Sequence, residues 1–349
     1  MRRGRRSGCF TIVAVHSTAR GPALGGCRLW HYEDSRAAVR DALRLSQAMT
    51  LKSAVAGLPL GGGKGVIMAP DPAAADALAD REWRVEALRD FGDTVELLGG
   101  SYVTAEDVGT SSRDMETIAL STSHVTGLSR RLGGSGDPSP WTALGVQAAI
   151  EVCCERVFGT RLLAGRTIAI SGLGNVGGRV ASACAEAGAT LFVSDIDPRK
   201  RTLAESLGAR WVKPDEALSA PVDVFAPCAL GGLLDHESVT RLGAPIVAGA
   251  ANNQLLEPRH GDALGEAGIL YAPDYVINAG GLIQVADELH RDGPDLARAR
   301  GRVAGIGRRL HEVFEFADTQ RISTEAAAEL LAERRIAAIG RLRRFYLRP

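Results

Sequence analysis

The stretch Thr167-Ile168-Ala169-Ile170-Ser171-Gly172-Leu173-Gly174-Asn175-Val176-Gly177 decides the fold. A short apolar run bounded by a glycine turn reads as a buried strand, and residues 177–187 continue with helical spacing. In that strand, turn and helix context each glycine of G-x-G-x-x-G has a physical task. Gly172 permits the tight turn, Gly174 lets the backbone approach a pyrophosphate, and Gly177 allows the helix to pack closely on the strand. The phosphates would rest on the helix N-terminus. A second strand, residues 190–194, ends at Asp195, 21 residues after Gly174. A carboxylate there accepts from both ribose hydroxyls and repels a 2′-phosphate, so the reading is NAD rather than NADP. Gly172, Gly174, Asn175, Val176, Gly177 and Asp195 form the expected nucleotide site, with Arg199 and Lys200 further on as the groups that a 2′-phosphate would use.

Downstream of this unit the alternation of short apolar runs with helices continues through residues 222–225 and 246–248, which implies a buried parallel sheet. Helical stretches are expected at residues 296–316 and 324–346. Upstream, helices are expected over residues 37–49 and 85–98, and a strand over residues 9–15. The segment Gly133-Gly134-Ser135-Gly136-Asp137-Pro138-Ser139-Pro140 concentrates chain breakers and reads as a hinge. The expected fold class is α/β with two domains: an N-terminal α/β substrate and oligomerisation domain (residues 1–126 plus 322–349) and a Rossmann-type doubly wound NAD-binding domain (residues 127–321).

The 349 residues suit two domains. Lys plus Arg and Asp plus Glu both number 41, so there is no broad charge footprint for nucleic acid or an acidic membrane. No run of 18 apolar residues occurs, and no secretory signal is recognisable, which points to the cytoplasm. The six cysteines have neither C-x-x-C nor framework spacing and read as small core residues. The seven histidines are scattered without metal-ligand spacing, so no metal site is expected.

A Rossmann unit does not reveal its reaction, so the chemistry must be sought in the other domain. Lys52 and Lys64 flank Ala56-Gly57-Leu58-Pro59-Leu60-Gly61-Gly62-Gly63, and the three glycines before Lys64 suggest a tight concave loop against which a ligand can press. Thr104-Ala105-Glu106-Asp107-Val108-Gly109 then brings an acidic pair at the end of a strand. A carboxylate near a buried lysine favours its charged form while burial opposes it.

These motifs, with Gly21-Pro22-Ala23-Leu24-Gly25-Gly26, Ala226-Pro227-Cys228-Ala229-Leu230, Ala250-Ala251-Asn252-Asn253-Gln254 and residues 272–281, resemble the leucine, valine and phenylalanine dehydrogenase branch of the glutamate dehydrogenase superfamily. The resemblance runs from about residue 7 to the end. It implies that Lys52, assisted by Asn252, binds the substrate carboxylate and that Lys64 and Asp107 transfer protons. Cys228, Ala229 and Asn278 would join the cofactor site. The implied reaction is reversible oxidative deamination: hydride leaves Cα for NAD, water adds to the iminium, and ammonia departs to leave a 2-oxo acid. A lysine serving that chemistry must lose basicity, and an interdomain cleft that excludes water, closing about residues 133–140, together with the neighbouring Lys52, is expected to lower its pKa by ~2 to 3 units.

Glutamate dehydrogenases carry a lysine where this chain has Leu24, and that lysine holds the substrate's side-chain carboxylate. A pocket of Leu24, Gly25, Ala105, Leu282 and Val285 would strand such a charge, so an apolar L-amino acid is expected. Leu282 stands where related enzymes carry Val or Ala, which shortens the pocket toward valine, leucine or isoleucine. Phenylalanine or another aromatic amino acid is the alternative, and a catalytically silent nucleotide-binding paralogue is the alternative of another class. Family members have a longer segment before the strand at residues 9–15, including a helix at the subunit interface; here Met1-Arg2-Arg3-Gly4-Arg5-Arg6 stands instead. A homo-oligomer is expected.

Overall fold

The computed structural model describes residues 1–70 and 81–343. The chain divides into two compact units, one of Met1–Asp137, Gln284–Leu296 and the segment from Ala332, the other of Pro138–Ile283 and Ala297–Leu331. These boundaries differ from the expected ones at three places. Residues 127–137 and 284–296 belong together in the first unit because Glu288 accepts from the backbone N–H of Gly127 (2.9 Å) and of Ser135 (2.8 Å), and Gln284 donates to Gly136 O (3.2 Å). Residues 322–331 belong to the second unit, where Thr324 Oγ1 donates to Tyr271 O at 2.7 Å.

The first unit is a five-stranded sheet of order β1-β2-β4-β3-β5, with β1 Arg2–Arg3, β2 Phe10–Ser17, β3 Ala23–Trp30, β4 Gly61–Met68 and β5 Tyr102–Glu106. β3 runs parallel to both β4 and β5, while β1 and β2 are antiparallel additions at one edge. Helix α1, Ser35–Val55, starts where the Asp34 side chain accepts from Ala37 N (2.6 Å) and ends before Gly57, which has φ +72°. Its Ala38 and Ala42 pack on Ile12, Ala14 and Val66. The other face of the sheet, with Cys27, Ile67 and Tyr102, is covered by α2 (Arg81–Glu96) and α3 (Ser112–Ala119) through Leu88, Phe91, Met115 and Ile118. Side chains alternate across a strand, so Leu24 and Arg28 on β3, Lys64 on β4 and Ala105 on β5 share the face covered by α1.

The glycines before Lys64 do not form a loop. Gly61, Gly62 and Gly63 are buried positions within β4. Their missing side chains are required by neighbours: a Cβ would stand 1.8 Å from Ser17 O at Gly61, 2.1 Å from Thr50 N of α1 at Gly62, and 2.6 Å from the Tyr102 ring at Gly63.

The second unit carries a six-stranded parallel sheet of order β11-β10-β9-β6-β7-β8. The strands are β6 Thr167–Ser171, β7 Thr190–Ser194, β8 Arg210–Trp211, β9 Val224–Pro227, β10 Ile246–Val247 and β11 Leu270–Tyr271. The first strand lies central, the next two extend one way and the last three the other, which is the doubly wound dinucleotide-binding order with its switch point after β6. Helix α4, Ser139–Phe158, opens with proline in its first turn and closes at Gly159 (φ +74°). Helix α5, Gly177–Glu186, follows the glycine turn. The single helix expected over residues 296–316 is two, Leu296–Ala304 and Ile306–Gln320, parted at Gly305. The final helix is Thr324–Arg343; residues 344–346 of the expected stretch lie outside the described residues.

Candidate active site

On the first unit, β4 presents Lys64 and the turn after β5 presents Asp107. Lys64 Nζ lies 2.7 Å from Asp107 Oδ2, and Lys64 is only 4% exposed. The two strands are separated by β3, where Gly26 leaves the space they need: a Cβ there would stand 2.7 Å from Asp107 Cβ. The turn is held by Thr110, whose hydroxyl accepts from Asp107 N (2.9 Å) and donates to Cys27 O (2.8 Å). Gly25 is equally confined, since a Cβ would meet Gly63 O at 1.7 Å; its own carbonyl accepts from Tyr102 Oη at 2.6 Å.

A third charged group, absent from the sequence expectation, completes the cluster. Arg28 Nε donates to the same Asp107 Oδ2 at 3.0 Å, while its Nη1 donates to Asp41 Oδ2 of α1 at 2.9 Å. Burial lowers the Lys64 pKa against the opposing pull of Asp107, and the charge of Arg28 adds to the lowering. Asp107 is held below the usual carboxylate range although burial opposes this, because Lys64 and Arg28 both stabilise its anion. Arg28 is thus a cation beside the pair that the sequence reading did not include. Lys52 lies in the last turn of α1, half-buried, at the C-terminal end of the helix that packs on β2 and β4. Leu24 (1% exposed) and Ala105 share the sheet face of Lys64. Leu282 and Val285 lie three residues apart on the helix Gly280–Asp287 and so on one side of it.

On the second unit, Gly172 takes φ +103° and faces Ala229, whose backbone N would stand 2.8 Å from a Cβ. A Cβ on Gly177 would strike Gly172 O at 2.0 Å, which shows the close helix packing expected of it. A Cβ on Gly174 would meet nothing within 4 Å. Asp195 follows β7 and is tied back to the turn, accepting from Leu173 N (2.6 Å) and Asp197 N (2.8 Å). Asn175 and Val176 lead into α5, and Cys228 donates its N–H to Ser171 O at 2.7 Å. Asn278, 3% exposed, donates to Asn252 Oδ1 (3.0 Å) and Ala250 O (3.2 Å). The Oδ1 of Asn278 is buried without a hydrogen-bond partner, an acceptor suited to an amide donor. Arg199 is engaged by Asp197 through Nε (2.9 Å) and Nη2 (2.9 Å). Open space at Gly174, the carboxylate after β7 and the orphaned amide oxygen fit a dinucleotide. Among the described residues no group of three His, Cys, Asp or Glu is placed to hold a metal ion, and no helix is long and apolar enough to cross a membrane.

Residues 1–124 match the family model described as Glu/Leu/Phe/Val dehydrogenase, dimerisation domain, and residues 192–293 match Glutamate/Leucine/Phenylalanine/Valine dehydrogenase. The chain belongs to the Glu/Leu/Phe/Val dehydrogenase family. Within it, leucine dehydrogenase of Bacillus subtilis (strain 168) is 46% identical over 343 residues, covering 98% of this chain and 92% of that protein. The crystal structure of L-tryptophan dehydrogenase from Nostoc punctiforme aligns with TM-score 0.81 at 40% identity, covering 96% of this chain and 94% of that one. Hetero-hexameric glutamate dehydrogenase from Thermus thermophilus, in its Leu bound form, aligns with TM-score 0.79 at 27% identity over 98% and 86% of the two chains. As a Glu/Leu/Phe/Val dehydrogenase the chain is an oxidoreductase acting on the CH–NH2 group of amino acids.

Proposed function

We propose that the chain catalyses the NAD-dependent, reversible oxidative deamination of an apolar L-amino acid, with valine, leucine and isoleucine preferred, to the 2-oxo acid and ammonia. The observation that carries this reading is the contact of the buried Lys64 Nζ with the half-buried Asp107 Oδ2 at 2.7 Å. It pairs an amine whose basicity is lowered toward the range that proton exchange near neutrality demands with a carboxylate that stays ionised beside it. NAD, when bound, supplies the hydride acceptor.

In this reading Lys52 holds the substrate carboxylate as a point charge, assisted by Asn252. Asp107 exchanges a proton with the substrate nitrogen, and Lys64 Nζ takes the proton from the water that adds to Cα. Asp195 would accept from the ribose hydroxyls, with Gly172, Gly174, Asn175, Val176 and Gly177 along the pyrophosphate and Cys228, Ala229 and Asn278 toward the nicotinamide end. The salt link of Arg199 to Asp197 supports NAD over NADP, since it occupies a cation that a 2′-phosphate would use. Leu24, Gly25, Ala105, Leu282 and Val285 are assigned to the substrate side chain, and the apolar Leu24 disfavours glutamate. The first unit serves substrate and assembly, the second the cofactor, and the active form is a cytoplasmic homo-oligomer. An aromatic substrate is the second reading, favoured by the likeness to the Nostoc tryptophan dehydrogenase structure.

The test follows NADH formation with L-Val, L-Leu, L-Ile, L-Phe, L-Trp and L-Glu. Branched-chain substrates are expected to give the highest kcat/KM; turnover fastest with an aromatic substrate moves the assignment to the second reading, and Glu as best substrate overturns the argument from Leu24. Lys64→Ala is expected to abolish turnover with NAD binding retained, whereas full activity in that variant removes the proton-transfer assignment.

A further inference from the structure

Asp107 spends one oxygen on two cations. Its Oδ2 receives Lys64 Nζ at 2.7 Å and Arg28 Nε at 3.0 Å. Arg28 is itself stretched between two acids, because its Nη1 reaches Asp41 Oδ2 at 2.9 Å. Asp41 is fastened in turn by Tyr32 Oη (2.7 Å) and Arg44 Nη2 (3.2 Å). The charged groups therefore form one line, Lys64, Asp107, Arg28, Asp41, with the acids and bases alternating. A planar guanidinium with donors on separate edges suits the position between two carboxylates, and an ammonium cannot span both.

We infer that Arg28 is a positioning residue for the proton-transfer pair: clamped by Asp41, it draws on the carboxylate of Asp107 so that this carboxylate cannot hold Lys64 permanently charged. The inference rests on the reading that Lys64 and Asp107 transfer protons.

Left alone, a buried lysine and a half-buried carboxylate 2.7 Å apart settle into a tight ion pair, which is a poor proton relay. A fixed positive charge that shares the carboxylate weakens that pair from the outside. It stabilises the anion of Asp107 and, with the same sign, disfavours a second positive charge on Lys64. The other groups that face the pair do not duplicate this role. Cys27 on β3 and Tyr102 on β5 are buried and pushed toward their neutral forms. Asp114 on α3 is matched by Arg84 on α2 at 2.8 Å, and Glu106 accepts from Ser112 at 3.1 Å. Arg44 on α1 is largely exposed and bound to the other oxygen of Asp41. Arg28 touches the pair directly, through Asp107 Oδ2.

The experiment is the pH profile of kcat for oxidative deamination in the whole enzyme, with KM for the amino acid and the melting temperature read alongside. Arg28→Gln is expected to move the limb on which activity rises with pH upward by about one unit, hence about a tenfold loss of kcat below that limb. KM should change less than kcat. Arg28→Lys should recover part of the shift by restoring charge without the second contact. Asp41→Asn removes the anion that partly neutralises Arg28 and is expected to move the same limb downward. It also serves if the Arg28 variants fail to fold. Equal loss at every pH with an unmoved limb in Arg28→Gln, or an upward or absent shift in Asp41→Asn, overturns the inference. Full turnover in Lys64→Ala would instead strike the underlying assignment of Lys64.

Discussion

The molecule contains two glycine runs that look alike on paper and are unlike in space. Gly172, Gly174 and Gly177 make a turn between β6 and α5, in which one glycine bends the backbone, one faces open space and one admits a helix. Gly61, Gly62, Gly63 and Gly65 make a strand crowded from its own protein, with Ser17, Thr50, Tyr102 and Phe91 filling every direction in which a Cβ would point. In the proposed reading, the open space at Gly174 of the turn is where a dinucleotide comes near. The strand leaves out side chains so that α1, Tyr102 of β5 and Phe91 of α2 can come near, and α1 over β4 sets the backbone carrying Lys64 under the helix that carries Lys52. On the proposed reading, missing side chains serve recognition in one unit and construction of a reactive surface in the other.

The comparison is broken most severely at Gly62. In Gly62→Ala the new Cβ meets Thr50 N at 2.1 Å, so α1 must lift. A loss at or beyond the upper end of the roughly 1–3 kcal/mol typical of overpacking is expected, read as a lower melting temperature together with lost turnover. Gly174→Ala should do the reverse, leaving the melting temperature unchanged while weakening NAD binding by about tenfold, or roughly 1.4 kcal/mol. Calorimetry and titration of the two variants side by side would erase the contrast if Gly174→Ala also melted early. The smallest effect belongs to the rim of the turn. Asp197→Ser frees Arg199 on the exposed surface and should raise the ratio of NADP to NAD activity by about two- to threefold, as suits a solvated ion pair.

What could be read from the amino-acid order was whatever depends on near neighbours. Thr167–Ser171, the turn, α5, Thr190–Ser194 and Asp195 are contiguous, and each residue's task follows from those beside it. Lys64 and Asp107 were legible as chemical types next to glycines, and their contact is where the fold delivers it. Arg28 was not, because its meaning depends on β3 lying between β4 and β5, an order fixed by parallel crossovers distant in sequence. Glycines 61–63 were misread as a loop for the same reason: nothing local distinguishes a glycine that turns from one that yields to Thr50 or Tyr102. That residues 127–137 lie with the first unit could not be read locally, because Glu288, far along the chain, ties down the backbone of Gly127 and Ser135.

The path of the backbone through the two units also governs how the enzyme is made and unmade. It leaves the first unit after Asp137, returns for Gln284–Leu296, leaves again and comes back at Ala332. During synthesis the five-stranded sheet emerges early, yet the pieces that finish its unit arrive only after all six strands of the parallel sheet have been translated. Closing such long loops is slow relative to forming local contacts, so completion of the lysine-bearing half waits on its neighbour's manufacture. Neither half is a terminal fragment that can be excised by one cut, and a protease nick in a connection leaves each assembled from strands and helices that still hold one another.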